Sequence, residues 1–307
     1  MEYKIYRFAF QSAVHFGREN LDEGEYACCA DTLFSALCQE ALKMGDDVLQ
    51  SLYHYAKDGN LLLSDLFPYM GDTYFVPKPM KRIHAQNSDG NSVLKKAYKK
   101  LKYISIELLD SYLDGTYDVF NAPNLEKLGH FDMKTAASVR GEEKTEPYRI
   151  GTYYYEDGNG LYFILGYQEA RVLDLVEQLL ENLSFSGIGG KRASGLGRFE
   201  LFSGTVSNHF RKRLGENGKR YMTLSVSLPT DDELETVLRD ASYLLRKRSG
   251  FVLSERYAPE QMRKRDLYVF QSGSCFAVRF EGDVYDVSDK GGRHPVYRYA
   301  KPMLMEV

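Results

Sequence analysis

The pattern of apolar and polar positions predicts strands that alternate with amphipathic helices. Residues 3–10 are aromatic and extended in pattern, which predicts a first strand. Apolar residues at helical spacing follow and predict a helix: Leu33, Phe34, Leu37, Ala41 and Leu42. Asp31 stands just before them and is the predicted N-cap, because its carboxylate can accept a hydrogen bond from a free amide. The chain is therefore expected to begin as a strand followed by a helix.

A second group of elements is predicted between residues 150 and 206. Apolar runs at 150–155 and 161–167 flank an Asp-Gly-Asn-Gly sequence, which predicts a β-hairpin. An amphipathic helix follows, with one apolar face formed by Val172, Leu175, Val176, Leu179, Leu180 and Leu183. A strand is predicted from residue 198 to 206. The whole order is β-α-β-β-α-β, that of a ferredoxin-like (RRM-like) module with two helices on one face of an antiparallel sheet.

Residues 45–149 interrupt this order between the first helix and the predicted hairpin. A segment of that length inside a compact domain is expected to be a structured insertion. Its apolar spacing predicts a helix that exposes neighbouring lysines, with a stripe of Val93, Ala97, Leu101, Ile104 and Leu108. A short strand near Tyr103 is the alternative interpretation of the same residues.

Two domains are predicted. Residues 210–219 are rich in charge and glycine, which is typical of a linker. They separate a first domain at 1–209, which contains the insertion, from a second domain at 220–307. The fold class is therefore α+β.

The second domain resembles a partial repeat of the first. A strand is predicted at 221–228, and Thr230 with Glu233 has the sequence of a capping box for a helix that reaches Leu245. Short strands are predicted afterwards at 251–253, 267–270, 275–280 and 284–287. Because a second helix is missing or very short, this domain is predicted to be a degenerate ferredoxin-like module.

Charge is unevenly distributed along a nearly neutral chain. The 307 residues carry 40 Lys and Arg against 43 Asp and Glu, a net charge of −3. Residues 78–102 hold eight basic residues and one acid, Asp89, whereas residues 246–265 hold seven basic residues and two acids. Segregated basic segments on a neutral protein indicate a defined track for a polyanion, although each alone is also compatible with a solvated face.

Cysteine and histidine spacing argues against metal chemistry. The four cysteines form no C-x-x-C and the six histidines no H-x-x-x-H, so neither a zinc site nor a disulfide framework is expected. No cofactor is predicted. The absence of a disulfide framework predicts a reducing, cytoplasmic location. The chain also lacks the roughly 18 consecutive apolar residues of a membrane span, so neither a membrane partner nor a signal peptide is expected.

The most informative stretch is SGIGGKRASGLGRF at residues 186–199. It combines five glycines with Lys191, Arg192 and Arg198 and holds no acid after Ser186. It lacks the spacing of a Walker A loop, and its order of helix, loop and strand is not that of a dinucleotide-binding fingerprint. Glycine lets a backbone approach another molecule closely, so amides and cations together predict phosphate binding, with a plain surface turn as the alternative.

Several segments along the chain carry a family resemblance. They are HFG at 15–17, ADTLFSAL at 30–37, FPYMGDTYFVPKP at 67–79, GIGGKRASGLGRFEL at 187–201, RSGFV at 248–252, DLYVFQSGSCF at 266–276 and HPVYRYAKP at 294–302. The chain resembles the RAMP superfamily of CRISPR proteins. More specifically, it resembles the guide-RNA 5′-handle-binding subunit of type III-A, or Csm, effector complexes.

This resemblance implies a non-catalytic subunit that holds the 5′ handle of the crRNA and contacts the large signature subunit and the backbone subunits. The insertion would be a thumb-like element, and no small-molecule substrate is expected. Apart from the resemblance, the predicted β-α-β-β-α-β order places both helices on one face of the sheet and leaves the other face available for RNA. RNA contact is expected at His15, Phe16, Gly17, Lys78, Gly187, Gly189, Gly190, Lys191, Arg192, Ser194, Gly195, Arg198 and Arg248. Phe16 is the candidate for stacking on a base.

Two other functions remain open at this point. A metal-independent, repeat-processing CRISPR endoribonuclease would use His15 as a base and Lys191 or Arg192 to stabilise the phosphorane. A protein-only adaptor would leave the cation-rich glycine loop and both basic segments without a purpose. Asp31 is the nearest candidate for a catalytic loop aspartate, but its place before the first helix favours the N-cap.

Overall fold

The structure is a computed structural model that describes residues 1–17, 20–83, 92–138, 146–215, 218–254 and 257–307. Residues 84–91 and 255–256 of the two basic segments lie outside the described residues, and they include three of the charges counted above, those of Asp89, Glu255 and Arg256. The fold is mixed α and β with antiparallel sheets.

The helices and strands follow in chain order. The first part contains β1 (Glu2–Phe10), β2 (Phe16–Gly17), β3 (Gly24–Glu25), α1 (Ala30–Met44), α2 (Asp46–Lys57), β4 (Leu61–Leu63), β5 (Phe67–Met70) and β6 (Thr73–Pro77). The middle contains α3 (Ser92–Lys100), β7 (Tyr103–Ser105), α4 (Leu109–Leu113), β8 (Gly129–Ser138), β9 (Glu146–Tyr155), β10 (Asn159–Tyr167), α5 (Ala170–Ser186), β11 (Phe199–Thr205) and α6 (Asn208–Arg213). The last part contains β12 (Tyr221–Thr223), α7 (Asp231–Leu238), β13 (Leu245–Arg248), β14 (Leu267–Phe270), β15 (Cys275–Phe276), β16 (Asp283–Asp286), β17 (Tyr297–Ala300) and β18 (Leu304–Glu306).

The central sheet has the strand order β11-β1-β10-β5-β6-β7, and β4 also pairs with β10. Helices α1 and α5 cover one face of this sheet. Alternate residues of β1 and β10, such as Tyr6, Phe8 and Phe163, point towards the helices and are buried. The predicted first strand and both predicted helices are confirmed, although Leu42 of the first apolar set is 38% exposed.

The other face of the sheet is covered as well. Ile5, Tyr162 and Ile164 alternate with the helix-facing residues, and all three are buried against Phe210 of α6 and Met222 of β12. The expectation that this face is free for RNA is therefore wrong. The physical reason is that β1 and β10 carry apolar side chains on both sides, and a strand of this kind requires a cover on each face.

The predicted hairpin between residues 150–155 and 161–167 is not formed. β10 lies between β1 and β5 in the sheet, so neither of its edges is free for β9. β9 instead pairs with β8 in a separate two-stranded ribbon of ten residue pairs, from Gly129 opposite Tyr155 to Ser138 opposite Glu146. The turn after β9 only connects the ribbon to the sheet.

The predicted linker and part of the predicted helix in the second half are also wrong. Residues 208–213 form α6, in which Phe210 is fully buried and Arg213 donates to the Glu306 carbonyl oxygen at 2.9 Å. The capping box of Thr230 and Glu233 is confirmed. Its helix, however, ends at Leu238.

Four of the five strands predicted in the second half exist. The strand at 267–270 is confirmed as β14, and the one at 284–287 corresponds to β16, shifted by one residue. The strands at 221–228 and 275–280 correspond to the shorter β12 and β15. No strand forms at 251–253, where Phe251 makes an isolated bridge with Arg263. In the insertion, the alternative of a strand near Tyr103 is confirmed as β7.

The N-terminus of α1 is capped from a distance. Cys29 occupies the N-cap position and Asp31 lies inside the first turn, so the predicted N-cap at Asp31 is wrong. The buried carboxylate of Asp65 accepts hydrogen bonds from the Ala30 amide at 2.7 Å and the Val226 amide at 3.0 Å. Asp65 thus joins the start of α1 to the segment that follows β12.

Replacing Asp65 tests this junction. Burial raises the pKa of Asp65 from 3.8 to about 6, so the folded protein binds this proton more tightly than the unfolded chain and the charged form costs stability as pH rises through that range. Asp65→Asn keeps an accepting oxygen without the charge, and we expect it to melt at or above the wild-type temperature at pH 7. The difference should vanish near pH 4, as followed by circular dichroism.

Asp65→Ala is the matched control. It leaves two buried amides without an acceptor, at a cost of about 1–3 kcal/mol for each. A melting temperature of Asp65→Asn as low as that of Asp65→Ala would contradict the assignment.

Candidate nucleic-acid interface

The glycine-rich loop between α5 and β11 is held by its own hydrogen bonds. The Gly187 amide donates to the Leu183 carbonyl oxygen at 2.7 Å and ends α5. Across the loop, the Ile188 amide donates to the Gly197 oxygen at 3.0 Å, and the Gly197 amide donates to the Ala13 oxygen at 2.9 Å. The loop is therefore a folded element rather than a pliant one.

This loop packs against the segment that contains His15. The Gly190 amide donates to the His15 carbonyl oxygen at 2.8 Å. A Cβ at Gly190 would lie 2.7 Å from the His15 ring, and one at Gly189 would lie 2.8 Å from the His15 oxygen. The glycine loop and the segment of His15, which were predicted separately to contact RNA, are thus in contact with each other. The expectation that successive amides surround one anion is wrong for Gly190 and Gly197, because their amides already bind the chain's own carbonyls.

The tip of the loop is a short 3-10 turn at Arg192–Ser194. Lys191 before the turn and Gly195 after it have left-handed φ angles of 59° and 82°. Ser194 is exposed, and so is Arg198 beyond the turn, whose amide donates to the Ser12 hydroxyl at 3.2 Å. The turn therefore presents its side chains outwards.

The two basic residues of the turn contact different parts of the fold. The Lys191 ammonium lies 4.6 Å from the ring centroid of Tyr148 on β9 and 3.3 Å from its hydroxyl oxygen. The Arg192 guanidinium donates to the Gln39 side-chain oxygen on α1 and, at 3.5 Å, to the Gly187 carbonyl. Within the described residues, neither Lys191, Arg192 nor Arg198 is paired with a carboxylate. Their positive charges are uncompensated.

The segment of His15, Phe16 and Gly17 lies beneath the loop. His15 is 5% exposed, and its Nδ1 lies 2.7 Å from the Gly151 carbonyl oxygen, so this nitrogen is the one that carries the proton. Phe16 is also 5% exposed and contacts Phe10 edge to face. Its ring has no free face on which a base could stack. RNA contact at this segment remains a prediction.

Lys78 and the lysines of α3 differ in exposure. The Lys78 ammonium donates to the Tyr98 carbonyl oxygen at 3.0 Å, and burial lowers the pKa of Lys78. The lysines on α3 are exposed, as expected: Lys95, Lys96, Lys99 and Lys100. Exposed cations are therefore found on α3, whereas Lys78 is partly buried.

Arg248 is part of a buried ion cluster. Its guanidinium donates to both oxygens of Asp31, each at 2.8 Å, and Arg298 on β17 donates to the same carboxylate at 2.5 Å. Asp31 is 4% exposed. Burial opposes its charge, but the two arginines outweigh burial and hold the pKa of Asp31 well below its usual value. The cluster ties α1 to β13 and β17.

A cleft of about 160 Å³ opens beside this cluster. It lies between α1, the glycine loop and the second half of the chain, and four cations line it: Arg192, Arg248, Lys264 and Arg298. The glycine loop and the basic segment at 246–265 therefore meet at one place. Sequence reasoning did not single out Lys264 or Arg298, although both lie in or next to segments that carry the family resemblance.

The structure also bears on metals and membranes. In the part of the chain that it describes, no three His, Cys, Asp or Glu side chains come together as metal ligands would. Among the helices described, none has the length and apolarity that crossing a bilayer requires.

Comparison with known proteins identifies the family. Residues 216–307 match the family model described as the CRISPR Csm4 C-terminal domain. The "CRISPR system Cms protein Csm4" of Mycobacterium tuberculosis is 42% identical over 307 residues, which cover 99% of this chain and 98% of that protein. The chain belongs to the Csm4 family. The Csm4 of Streptococcus thermophilus is 36% identical over 314 residues, which cover 100% of this chain and 99% of that protein.

Solved Csm4 structures have a similar fold. One is in the Csm3-Csm4 subcomplex of the type III-A CRISPR-Cas interference complex, with a TM-score of 0.69, 20% identity and coverage of 100% of this chain and 99% of that chain. Another is in the Csm1-Csm4 cassette in complex with cA4, with a TM-score of 0.62, 17% identity and coverage of 100% and 98%. The resemblance inferred from the sequence is confirmed.

Alanine substitutions at two glycines test the packing of the glycine loop. Gly195 and Gly197 have nearly equal φ angles of 82° and 79°, but a Cβ at Gly195 meets nothing within 4 Å, whereas one at Gly197 lies 2.1 Å from the Ile188 carbonyl oxygen. Gly195→Ala should cost about 1–2 kcal/mol of unfolding free energy from the left-handed backbone alone. Gly197→Ala should lower the unfolding free energy clearly more than Gly195→Ala does, as measured by urea titration. Equal losses would contradict the described packing.

Asp31→Asn tests the ion cluster. Removing one partner of a buried ion pair leaves the other charges uncompensated, so we expect a loss of about 3–5 kcal/mol at pH 7. Because the folded-state pKa of Asp31 is lowered, its contribution is present above the unfolded pKa and is lost as pH falls through the folded one. The unfolding free energies of wild type and variant should therefore converge in strong acid. Asp65→Asn is the control, and equal behaviour of the two variants would contradict the assignment.

Proposed function

We propose that this chain is a non-catalytic RNA-binding subunit of a type III-A CRISPR interference complex. In this proposal it holds the 5′ handle of the crRNA and bridges the large signature subunit to the backbone subunits, in the cytoplasm. The observation that carries the proposal is the outward-facing turn of the glycine loop. Its cations Lys191 and Arg192, with Arg198 beyond it, have no carboxylate partner among the described residues.

The chemistry of that turn fits single-stranded RNA. Phosphates of an RNA backbone are bound by cations that are not already paired, and association then releases counterions. Lys191 also lies against the ring of Tyr148, so a cation and an aromatic surface occur side by side. Such a combination can hold a phosphate and an adjoining base together. The exposed lysines of α3 extend the positive surface.

The family relationship supports the proposed partners. Similar Csm4 chains have been solved with Csm3 and with Csm1, and this chain matches each of them over its full length. We therefore propose that the partners of this chain are a backbone subunit and the large signature subunit.

The topology supports two ferredoxin-like modules. In the first, at 1–209, the strands β11-β1-β10-β5 with α1 and α5 on one face have the order that this fold requires. The second, at 220–307, has the single helix α7 among its strands in the described residues and would be degenerate. The β8–β9 ribbon lies largely within the predicted insertion at 45–149 and would be its thumb-like part.

The position of His15 favours binding over catalysis. A general base must come within hydrogen-bond reach of the proton that it removes. His15 is buried beneath the glycine loop, and its Nδ1 donates to the Gly151 carbonyl oxygen. A Cβ at Gly17 would lie 3.1 Å from the other ring nitrogen, so Gly17 packs closely against the ring. These contacts support a structural role for His15 rather than that of a repeat-processing nuclease.

Replacing Lys191 and Arg192 together with alanine tests the proposal. A hydrogen bond to a charged group contributes about 1.5–3 kcal/mol, so affinity for a single-stranded RNA with the native 5′ handle should fall about tenfold or more. The slope of log affinity against log salt should become shallower by roughly 1.4, at about 0.7 per phosphate contact. Binding is measured with the assembled complex and with the full chain across a salt series.

The double variant Arg211→Ala with Lys212→Ala is the matched control. These two cations are exposed on α6, on the opposite face of the sheet from α1 and α5, and their removal should leave both quantities unchanged. The RNA should be recovered at full length from the wild type. An unchanged affinity and salt slope in the Lys191 and Arg192 variant, or RNA cleavage that depends on His15, would contradict the proposed function.

A further inference from the structure

We propose that the cleft between α1, the glycine loop and β17 binds one phosphate group of the RNA backbone, and that Lys264 is the ammonium that contacts it. This inference rests on the proposed RNA-binding function and adds a specific site to it. The site would clamp the RNA where the first and second halves of the chain meet.

The cleft carries an uncompensated positive charge. Arg192, Arg248, Lys264 and Arg298 line it, and Asp31 is the acid among its described lining residues. Both oxygens of Asp31 already accept hydrogen bonds from Arg248 and Arg298. Four positive charges against one negative leave an excess of three. Partly buried charges without counterions are costly, and an anion in the cleft would compensate them.

One cation that lines the cleft, Lys264, is half-buried. Lys264 has no carboxylate partner among the described residues. Burial, and then the nearby Arg298, lower the pKa of Lys264 from 10.5 to about 8. The Lys264 ammonium is a donor, and an anionic ligand with acceptor oxygens would satisfy it.

Size and geometry favour a phosphate group. Pockets for drug-sized molecules measure roughly 300–1,000 Å³, so a cleft of about 160 Å³ suits a single anionic group rather than a whole nucleotide. Guanidinium N–H groups donate charge-assisted hydrogen bonds to phosphate oxygens. Arg248 uses its Nε and Nη2 for Asp31 and Thr32, which leaves its Nη1 without a partner among the described residues. Arg248 and Arg298 are held in place by Asp31 before any ligand arrives. The site is therefore preorganised for a phosphate.

The cleft is continuous with the proposed RNA surface. Gly189 and Arg192 belong to the glycine loop and also line the cleft. An RNA strand that contacts Lys191 on the outward-facing turn would therefore bring a neighbouring phosphate to Arg192 and, beyond it, to Lys264. This continuity favours an RNA phosphate over an acidic side chain of a partner protein.

Lys264 gives the site a pH signature. The charged and titratable groups around it are Asp31 and Cys38 on α1, Arg248 on β13, Tyr297 and Arg298 on β17, and Arg192 on the glycine loop. Burial raises the pKa of Cys38 to about 12, the arginines stay charged, and Asp31 stays ionised. Lys264 is thus the group of this set that loses its charge near pH 8. RNA affinity should fall as pH rises from 7 to 9.

The test compares Lys264→Met with Lys264→Arg in the assembled complex and in the full chain. Lys264→Met should weaken handle RNA binding several-fold at pH 7, make the salt slope shallower by roughly 0.7, and abolish the pH dependence between 7 and 9. Lys264→Arg should keep the affinity and also lose the pH dependence, because its charge does not titrate there.

Thermal unfolding provides a second readout that does not involve RNA. The lowered pKa means that the charged form of Lys264 costs stability at pH 7, so Lys264→Met should raise the melting temperature of the free chain. Inorganic phosphate should raise the melting temperature of the wild type more than that of Lys264→Met, because it compensates the charge. If Lys264 had only a structural role, its replacement by Met would not be expected to raise the melting temperature while weakening RNA binding.

Three outcomes would overturn the inference. If Lys264→Met binds RNA as the wild type does while the Lys191 and Arg192 variant is weakened, the cleft is not a phosphate site and the proposed function stands. If Lys264→Met weakens only assembly with the protein subunits, the cleft holds an acidic side chain of a partner. If the wild type binds no RNA, the proposed function fails. If phosphate then raises the melting temperatures of the wild type and of Lys264→Met equally, an anion site in the cleft is excluded as well.

Discussion

The buried carboxylate of Asp31 is the constraint on which the arrangement of this molecule depends. It lies in the first turn of α1 and receives hydrogen bonds from Arg248 and Arg298, which are 217 and 267 residues away along the chain. Taking a carboxylate out of water is costly, and here two guanidinium groups with direct hydrogen bonds offset that cost. The interaction exists only when the first helix and the C-terminal strands meet in one register. It therefore fixes the second half of the chain against the helix layer of the first.

The same interaction determines the charge of the neighbouring cleft. One carboxylate can hold two arginines in position but can neutralise only one of them, and Arg192 and Lys264 add two further charges. The fold thus holds a positive site that is partly removed from water, and burial, followed by repulsion from Arg298, lowers the pKa of Lys264. Folded proteins normally avoid an excess of partly buried charge of one sign. The excess positive charge in this cleft therefore points to an anionic ligand that binds after folding.

Local patterns in the sequence predicted local structure well. The first strand, the buried faces of α1 and α5, and the capping box of α7 all follow from spacing within a few residues. Predictions that needed distant partners were wrong. β10 is apolar on both faces, which a single hairpin partner cannot explain, and its neighbour β5 lies about ninety residues earlier. Phe210 is fully buried within a charged stretch that has the composition of a linker.

In the glycine loop, too, the local property was predicted correctly but the distant partner was not. Its composition predicted a close approach between backbone and another group, and the structure contains one. The group approached is the chain's own segment around His15, since the amides of Gly190 and Gly197 donate to carbonyl oxygens there. The glycines therefore anchor the loop from below, and the half-buried side chains of Lys191 and Arg192 lie against Tyr148 and Gln39. In this loop the backbone provides the position, and the cations provide the chemistry available to a polyanion.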